Sequence, residues 1–121
     1  MVMLAMLIFA CSEAQEKKEG VSIISSDELT KLQSSGVKVV DVRTLGEVQQ
    51  GKIPGAIHLE ISADLATKMA SFDKEQPVIL YCQAGGRSAK AAEQLKSAGF
   101  KTIYNYAGGM ADWRSKGNNV E

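Results

Sequence analysis

The residues around Cys82 are of the types and in the order that a reactive thiolate needs. Cys82 directly follows an apolar run, Val78 to Tyr81, and precedes two glycines, an arginine and a helix-like segment. A cysteine reacts as its thiolate, and with an ordinary pKa of about 8.5 only a few per cent is ionised at neutral pH. The helix predicted to begin near Ser88 points its amide-bearing end at the loop, which favours an anion. This pattern predicts a nucleophilic cysteine held by backbone amides.

Two further features of this loop would raise the thiolate fraction. Gly85 and Gly86 can adopt a positive φ, so that successive N–H groups turn inward as an anion nest. Arg87 adds a permanent positive charge if its side chain bends towards the pocket, or it points outward and pairs with a carboxylate; both arrangements remain open. An inert, buried cysteine would need no such nest.

The chain has no obvious base for Cys82 and no obvious metal site. Its one histidine, His58, is expected to be a turn residue with a local hydrogen bond. Activation must then come from backbone dipoles and arginine, which suits a substrate such as a sulfane sulfur donor, from which no proton need be removed. The two cysteines, Cys11 and Cys82, form no disulfide framework, and no Cys/His cluster has metal-ligand spacing. We expect neither a metal nor a cofactor.

Length and charge limit the range of partners. A chain of 121 residues corresponds to about one domain. Its 14 basic and 14 acidic residues balance, and no basic block stands out. Nucleic acid and other polyanionic partners are therefore not expected, and we expect a monomer that recognises its substrate locally.

Five short apolar runs alternate with helix-like segments along the chain. The predicted strands are 21–24, 37–42, a short strand led into by the turn at 53–57, 78–81 and 103–106. The first predicted helix is capped by Ser25 and Glu28 and runs to Ser35. A helical turn is predicted at 46–50, and the next helix is capped by Ser62 or Asp64 and carries Leu65, Met69 and Phe72. The last two predicted helices are 88–98 and 110–114. This alternation predicts an α/β fold with a mainly parallel sheet covered on both faces. Right-handed crossovers then place Cys82 at the carboxyl end of a central strand, where sites in such sheets lie.

The N-terminus has the pattern of a targeting segment rather than of a folded domain. Residues 1–10 are uncharged and nearly all apolar, too few to span a bilayer but suited to the core of a secretory signal. Residues 8–11 resemble the lipobox of bacterial lipoproteins, in which the cysteine, here Cys11, is acylated. Phe9 is bulkier than the usual residue, and the alternative is an N-terminal strand or an uncleaved anchor.

The predicted domain organisation follows from this targeting segment. We predict a signal over 1–11, a flexible polar tether over 12–20 and a folded domain over 21–118, with fraying after Lys116. The protein is then expected in the cell envelope or periplasm, held to a bacterial membrane only by a lipid anchor.

Three stretches together resemble the signatures of the rhodanese family. They cover about residues 22–116, in order and at the family's spacing. The first is Val39–Arg43 with Glu47, Gly51 and Ile53–Ala56; the second is the active loop Cys82–Arg87; the third is Gly99-Phe100, Tyr106–Met110 and Trp113.

The resemblance implies a single rhodanese domain, an α/β sandwich around a five-stranded parallel sheet, and a ping-pong reaction. In that reaction the Cys82 thiolate takes a sulfane sulfur from a donor such as thiosulfate and forms a persulfide. The persulfide passes its outer sulfur to cyanide or another thiol. The outer sulfur would lie in a ring of amides contributed by Gln83, Ala84, Gly85, Gly86, Arg87 and Ser88.

Some positions depart from the family pattern or have an open role. Lys52 replaces the usual histidine of the first signature, and Gln83 replaces the usual arginine after the cysteine. Since Arg87 is the one cation left in the loop, strong thiosulfate binding is not expected. Asp41 and Arg43 match the family's Asp-x-Arg. Asp41 is expected to organise the loop after the second strand and Arg43 to pair with Glu47, although a direct role of Arg43 in the pocket is the alternative; Trp113 is expected in the core or the pocket wall.

Two other functions remain as alternatives. Phosphatases and arsenate reductases on a similar fold have five residues between cysteine and arginine, whereas four separate Cys82 from Arg87. The shorter loop suits one sulfur atom better than a tetrahedral oxyanion. A non-enzymatic sulfur carrier or redox-partner module, which acts only with a dedicated protein, is also compatible with an intact Cys82.

Overall fold

The computed structural model describes residues 20–121, in which five strands alternate with five helices. The strands are β1 Gly20–Ile23, β2 Lys38–Asp41, β3 Ile57–His58, β4 Val78–Tyr81 and β5 Thr102–Tyr106. The helices are α1 Ser26–Ser34, α2 Leu45–Gln49, α3 Leu65–Lys68, α4 Gly86–Ser97 and α5 Gly109–Ser115. The predicted signal, Cys11 and all but the last residue of the tether lie outside the described residues. Within 20–121 no helix has both the length and the apolar character needed to cross a membrane.

The strands form one parallel sheet in the order β1-β5-β4-β2-β3. The predicted α/β fold with a five-stranded parallel sheet is confirmed. All four residues of the central strand, β4, are buried, as its continuous apolar run indicated. Tyr81 is in register with Asp41 of β2 and with Tyr106 of β5, so the three strands end at one level. Cys82 therefore leaves the sheet between two neighbouring strands at its carboxyl edge.

Each face of the sheet has its own core, because successive side chains of a strand point to opposite faces. Leu80 and Cys82 pack with residues of α3 and α4, including Leu65 and Leu95. Ile79 and Tyr81 pack on the other face with residues of α1 and α5: Leu29, Met110 and Trp113. Helices cover both faces, as predicted, and Cys82 projects towards α4.

The helix starts were predicted with mixed success. The capping box of α1 is present, since Glu28 N–H donates to Ser25 Oγ (3.2 Å) and Ser25 N–H donates to Glu28 Oε1 (2.8 Å). Asp64, one of the two residues predicted to cap α3, occupies the N-cap position, but its side chain accepts from the Ser62 hydroxyl and makes no cap hydrogen bond. That helix also ends at Lys68, earlier than predicted.

The C-terminal residues are tied to the domain. The Lys52 N–H donates to Glu121 O (3.2 Å), and the Glu121 N–H donates to Lys52 O (2.9 Å). The indole N–H of Trp113 donates to Asn119 O (2.7 Å). The prediction that the chain frays after Lys116 is therefore wrong. Backbone hydrogen bonds with Lys52 and the bond from the buried Trp113 indole hold the polar C-terminal residues in place.

Candidate active site

The sulfur of Cys82 is enclosed at the point where β4 meets α4. Cys82 is only 1% exposed. The Gly85 N–H donates to Sγ at 3.1 Å, and the Ser88 hydroxyl oxygen lies 3.5 Å from it. Gly85 has φ +99°, and a Cβ there would lie 2.7 Å from the carbonyl oxygen of Ala107. Only glycine fits this position, and its backbone turns an amide towards the sulfur.

The start of α4 differs from the prediction in a way that matters for the loop. The helix begins at Gly86, two residues before the predicted start near Ser88. Of the two glycines, only Gly85 has a positive φ, so the expectation of a left-handed conformation at Gly86 is wrong. Arg87 and Ser88 belong to the first helical turn, whose N–H groups have no partner within the helix. The amides near the sulfur thus come from a helix start and one left-handed glycine.

Helix α5 orients the other peptides of the loop. The Met110 N–H donates to Cys82 O (2.9 Å), and the Ala111 N–H donates to Gln83 O (3.1 Å). In a trans peptide the carbonyl and the next N–H point in opposite directions. With these two carbonyls turned towards α5, the N–H groups of Gln83 and Ala84 face away from it. A Cβ at Gly109 would lie 2.4 Å from Cys82 O, so the close approach of α5 requires a glycine there.

Hydrogen bonds to the sulfur lower the pKa of Cys82. Burial raises this pKa, but the Ser88 hydroxyl and the amides of Ser88, Gly85 and Ala84 together outweigh burial and bring it below the value of an ordinary cysteine. The site can therefore hold a thiolate without a separate base. Ser88 was expected to contribute only its amide, and the contribution of its hydroxyl was missed; a serine directly after the cysteine loop is a signal for such a contact.

Arg87 adopts the second of its two predicted arrangements. It forms two bonds with the Glu47 carboxylate, Nη1 to Oε1 at 2.6 Å and Nη2 to Oε2 at 2.9 Å. The two side chains are 35% and 32% exposed. The Arg87 hydrogen bond lowers the pKa of Glu47 to about 2, so the carboxylate is ionised at neutral pH. The charge of Arg87 is matched at the rim of the site.

Arg43 does not pair with Glu47, and that prediction is wrong. Its Nε donates to Asp41 Oδ1 (2.9 Å), and its Nη2 donates to Asp41 Oδ2 (2.8 Å) and to Gly51 O (2.8 Å). Asp41 and Arg43 are 0% and 2% exposed. The pairing arises because residues i and i+2 of an extended chain lie on one face, and a buried carboxylate needs a counter-charge.

Asp41 and Tyr81 complete a buried polar network beside the loop. The Arg43 N–H donates to Asp41 Oδ1 (3.0 Å), so Asp41 organises the loop after β2 as predicted. The Tyr81 hydroxyl donates to Asp41 and accepts from the Ile53 N–H (3.0 Å). Burial, then the bond to Asp41, raises the pKa of Tyr81, which keeps the phenol protonated. Tyr81 was predicted only as part of an apolar strand, although a buried phenol at a strand end needs a polar partner for its hydroxyl.

Three other singled-out residues have structural contacts. Lys52 Nζ donates to Ala56 O (3.0 Å) and pairs with Glu121. His58 lies in β3 rather than in a turn, and its Nε2 is 2.6 Å from Arg43 O. Trp113 is 6% exposed and packs in the core of the sheet face opposite α4, as predicted.

A cleft of about 640 Å³ opens beside the cysteine loop. It is lined by Arg43, Thr44, Gly46, Glu47, Gln50 and Arg114. Gln83, the residue after Cys82, also lines it. Arg114 was not predicted from the sequence to be a site residue. Within 20–121, no three His, Cys, Asp or Glu side chains come together as they would to hold a metal ion.

The chain is similar to known proteins over most of the described residues. The Rhodanese-like domain family matches residues 25–116. A sulfurtransferase of Allochromatium vinosum is 32% identical over 80% of this chain and 92% of its own length. A thiosulfate sulfurtransferase, GlpE, of Pseudomonas savastanoi pv. phaseolicola is 32% identical over 76% of this chain and 86% of its own.

Solved structures agree with the sequence relatives. The crystal structure of a rhodanese-like domain protein from Staphylococcus aureus superposes with a TM-score of 0.71 at 35% identity, over 83% of this chain and 96% of that one. The relatives support a role in sulfur transfer. With its parallel sheet, its cysteine at the carboxyl edge and these matches, the chain belongs to the rhodanese-like domain family.

Proposed function

We propose that this protein is a sulfurtransferase that carries a sulfane sulfur as a persulfide on Cys82. The observation that carries the proposal is the setting of Sγ, which is 3.1 Å from the Gly85 amide and 3.5 Å from the Ser88 hydroxyl, with a lowered pKa. The Gly85 N–H donates to the sulfur, whereas the Ser88 hydroxyl accepts from the Cys82 thiol and donates to Gly85 O (3.3 Å); once the thiol loses its proton, the same hydroxyl is placed to donate to the thiolate. Both groups favour the Cys82 thiolate, which is the form that attacks a sulfur donor.

In the first half-reaction the Cys82 thiolate attacks the outer sulfur of a donor such as thiosulfate. A new S–S bond forms at Cys82, and the donor's own S–S bond breaks. The electron pair of that bond leaves with sulfite, and the negative charge remains on the outer sulfur of the persulfide. No proton has to be removed, which agrees with a site that offers Cys82 hydrogen-bond donors and no neighbouring histidine base.

In the second half-reaction a thiolate or cyanide attacks the outer sulfur. The bond between this sulfur and Sγ breaks, and its electron pair returns to Cys82 as the thiolate. Electrons and atoms balance without an external oxidant or reductant. The hydrogen bonds from Ser88 and Gly85 that lower the Cys82 pKa also make the thiolate a better leaving group.

The observed contacts favour sulfur transfer over phosphatase or arsenate reductase activity. A phosphoryl group needs cationic or amide donors for its equatorial oxygens. Arg87, the cation of the loop, directs two of its nitrogens to Glu47 instead. Four residues between Cys82 and Arg87 also make a loop shorter than those enzymes use.

Steady-state turnover with a small donor and acceptor tests the proposal and separates an enzyme from a carrier. Thiosulfate and cyanide should yield thiocyanate with ping-pong kinetics. Cys82→Ser should abolish turnover, while Cys11→Ser, a matched change at the other cysteine, should leave it intact. Turnover that survives Cys82→Ser would refute the proposal. Turnover that appears only with an added protein partner would favour the carrier function.

We also propose that residues 1–11 target the chain to the cell envelope, with Cys11 acylated. The support is the uncharged apolar run of residues 1–10 followed by a cysteine and a polar segment. Growth of a bacterial host with a clickable fatty acid should label the parent protein and not Cys11→Ala. A parent chain that takes up no label would contradict the proposed acylation of Cys11.

A further inference from the structure

The cleft beside the cysteine loop is larger than the proposed small substrates require. Its volume of about 640 Å³ is in the range of sites for small organic molecules. Thiosulfate and cyanide have only a few heavy atoms each and would leave most of it unfilled. Gln83 connects the cleft to the cysteine loop, because it lines the cleft and directly follows Cys82.

The charges of the cleft do not cancel. Arg43 is paired with Asp41, and Glu47 is paired with Arg87. Within residues 20–121 no ion pair matches Arg114, which is exposed. Together these five side chains carry one net positive charge, contributed by Arg114. The unpaired charge of Arg114 therefore favours the binding of an anionic group in the cleft.

The guanidinium of Arg114 is positioned rather than free in solvent. Its Nη2 donates to Gln50 O at 2.9 Å, next to Gly51, whose carbonyl accepts from Arg43. A Cβ at Gly51 would lie 2.6 Å from that nitrogen, so the glycine leaves room for the side chain. A guanidinium has five N–H donors and only one is used in this bond, so others remain for a carboxylate, which arginine binds with two parallel bonds.

Arg114 is also fixed relative to Cys82. It lies on α5, whose first turn binds the loop through Met110 N–H to Cys82 O (2.9 Å) and Ala111 N–H to Gln83 O (3.1 Å). Hydrogen bonds between α5 and the cysteine loop therefore fix the position of the Arg114 backbone relative to Cys82. The exposed side chains of Gln50 and Gln83 add neutral groups that suit an amide.

We infer that this cleft binds the sulfur acceptor, that the acceptor is a small thiol bearing a carboxylate, and that Arg114 binds this carboxylate. The inference rests on the proposed function. The acceptor thiolate attacks the outer sulfur of the Cys82 persulfide, the bond to Sγ breaks, and the electron pair returns to Cys82. The products are the Cys82 thiolate and the acceptor persulfide, still held by its carboxylate.

A pair of acceptors that differ only in charge tests the inference. N-acetylcysteine carries a carboxylate, and N-acetylcysteinamide has a neutral amide in its place. With thiosulfate as donor, Arg114→Gln should raise KM for N-acetylcysteine about five- to tenfold, as expected for the loss of a charge-assisted contact at an exposed site. KM for the amide should change less than about twofold, since the amide has no charge for Arg114 to bind.

Two control variants define the effect further. Lys96→Gln removes the same charge from an exposed position in the last turn of α4 and should leave every KM unchanged. Arg114→Lys should recover part of the affinity for N-acetylcysteine, because it keeps the charge and loses the paired bonds. Equal increases for both acceptors, or an increase confined to thiosulfate, would overturn the assignment.

A binding measurement separates this inference from the proposed function. S-methyl-N-acetylcysteine has the carboxylate but no thiol, so its binding requires no sulfur transfer. Titration by NMR should show binding to the full chain and to Lys96→Gln, weakening with salt, and at least fivefold weaker binding to Arg114→Gln. Binding that depends on Arg114 in a protein that forms no persulfide would refute the proposed function alone. Persulfide formation without such binding would refute the cleft assignment alone.

Discussion

Two arginine–carboxylate pairs flank the cysteine loop, and they differ in almost every physical respect. Asp41 and Arg43 are 0% and 2% exposed, whereas Glu47 and Arg87 are 32% and 35% exposed. The buried pair shares its atoms with other groups of the fold, including the Tyr81 hydroxyl and the Gly51 carbonyl. The rim pair consists of two bonds within reach of water.

The buried Asp41–Arg43 pair is part of the structural scaffold, whereas the Glu47–Arg87 pair lies at the solvent-exposed rim of the site. Removing one member of a buried pair leaves a charge in a low-dielectric interior, whereas a charge at the rim is rehydrated. Both pairs also engage the arginines that flank the loop, and the largest contributions that lower the pKa of Cys82 come from the neutral Ser88 hydroxyl and backbone amides.

The largest effect is expected from Asp41→Asn. The change leaves the buried Arg43 guanidinium without its counter-charge and should lower the free energy of unfolding by about 3–5 kcal/mol, measured by urea titration. That is a large part of the stability of a domain of this size, about 5–15 kcal/mol. Asp27→Asn, at an exposed position in the first turn of α1, is the matched control and should lower it by less than about 1 kcal/mol. Similar losses in both variants would contradict a scaffold role.

Tyr81→Phe should have the next largest effect. It removes the hydroxyl that donates to Asp41 and accepts from the buried Ile53 N–H. Leaving that N–H without a partner should lower the free energy of unfolding by about 1–3 kcal/mol. Tyr104→Phe is the control, since the Tyr104 ring packs against the same core. An equal effect of the two changes would show that the ring alone, and not the network, stabilises the fold.

Ser88→Ala tests whether neutral donors hold the negative charge on sulfur. The loss of the hydroxyl removes the strongest contribution lowering the pKa of Cys82, so this pKa should rise. A hydrogen bond to a charged group contributes about 1.5–3 kcal/mol, which corresponds to about ten- to 150-fold slower alkylation by iodoacetamide at neutral pH. The rate should recover as the pH rises. Arg87→Gln should slow the reaction less; the opposite order would show that arginine, not serine, stabilises the thiolate.

Glu47→Gln should have the smallest effect. The pKa of Glu47 is lowered to about 2, so the ion pair stabilises the fold above the ordinary glutamate pKa of about 4.3 and is lost as the pH falls towards 2. Exposure to solvent limits this contribution to about 1 kcal/mol. Glutamine keeps the capping role of Glu47 in α2. The stability of the parent should approach that of the variant between about pH 4.5 and pH 2; a constant difference would contradict the assigned pair.

Much of the frame was predictable from the sequence because its signals are local. The apolar run of β4, the capping box of Ser25 and Glu28, and the left-handed Gly99 after α4 each follow from a few adjacent residues. Parallel pairing and crossover handedness then placed Cys82 at the carboxyl edge. These steps require no knowledge of which side chains meet across the fold.

The partners of the charged residues were not predictable in the same way. Arg43 could reach Glu47 by sequence distance, but the buried Asp41 carboxylate and the Gly51 carbonyl compete for it. Glu47 then pairs with Arg87, which lies forty positions further along the chain. The cleft and the place of Arg114 in it depend on how α5 packs against the loop after α2. Such contacts depend on tertiary packing, which a pattern of residue types does not specify.

The proposed sulfur transfer requires that Cys82 carries the transferred sulfur. Mass spectrometry of the intact protein after exposure to thiosulfate or polysulfide tests it directly. We predict one added sulfur on the parent protein, removed by cyanide, and none on Cys82→Ser treated in the same way. A parent protein that remains unmodified with both donors, or a Cys82→Ser variant that gains the same cyanide-labile sulfur, would contradict the account.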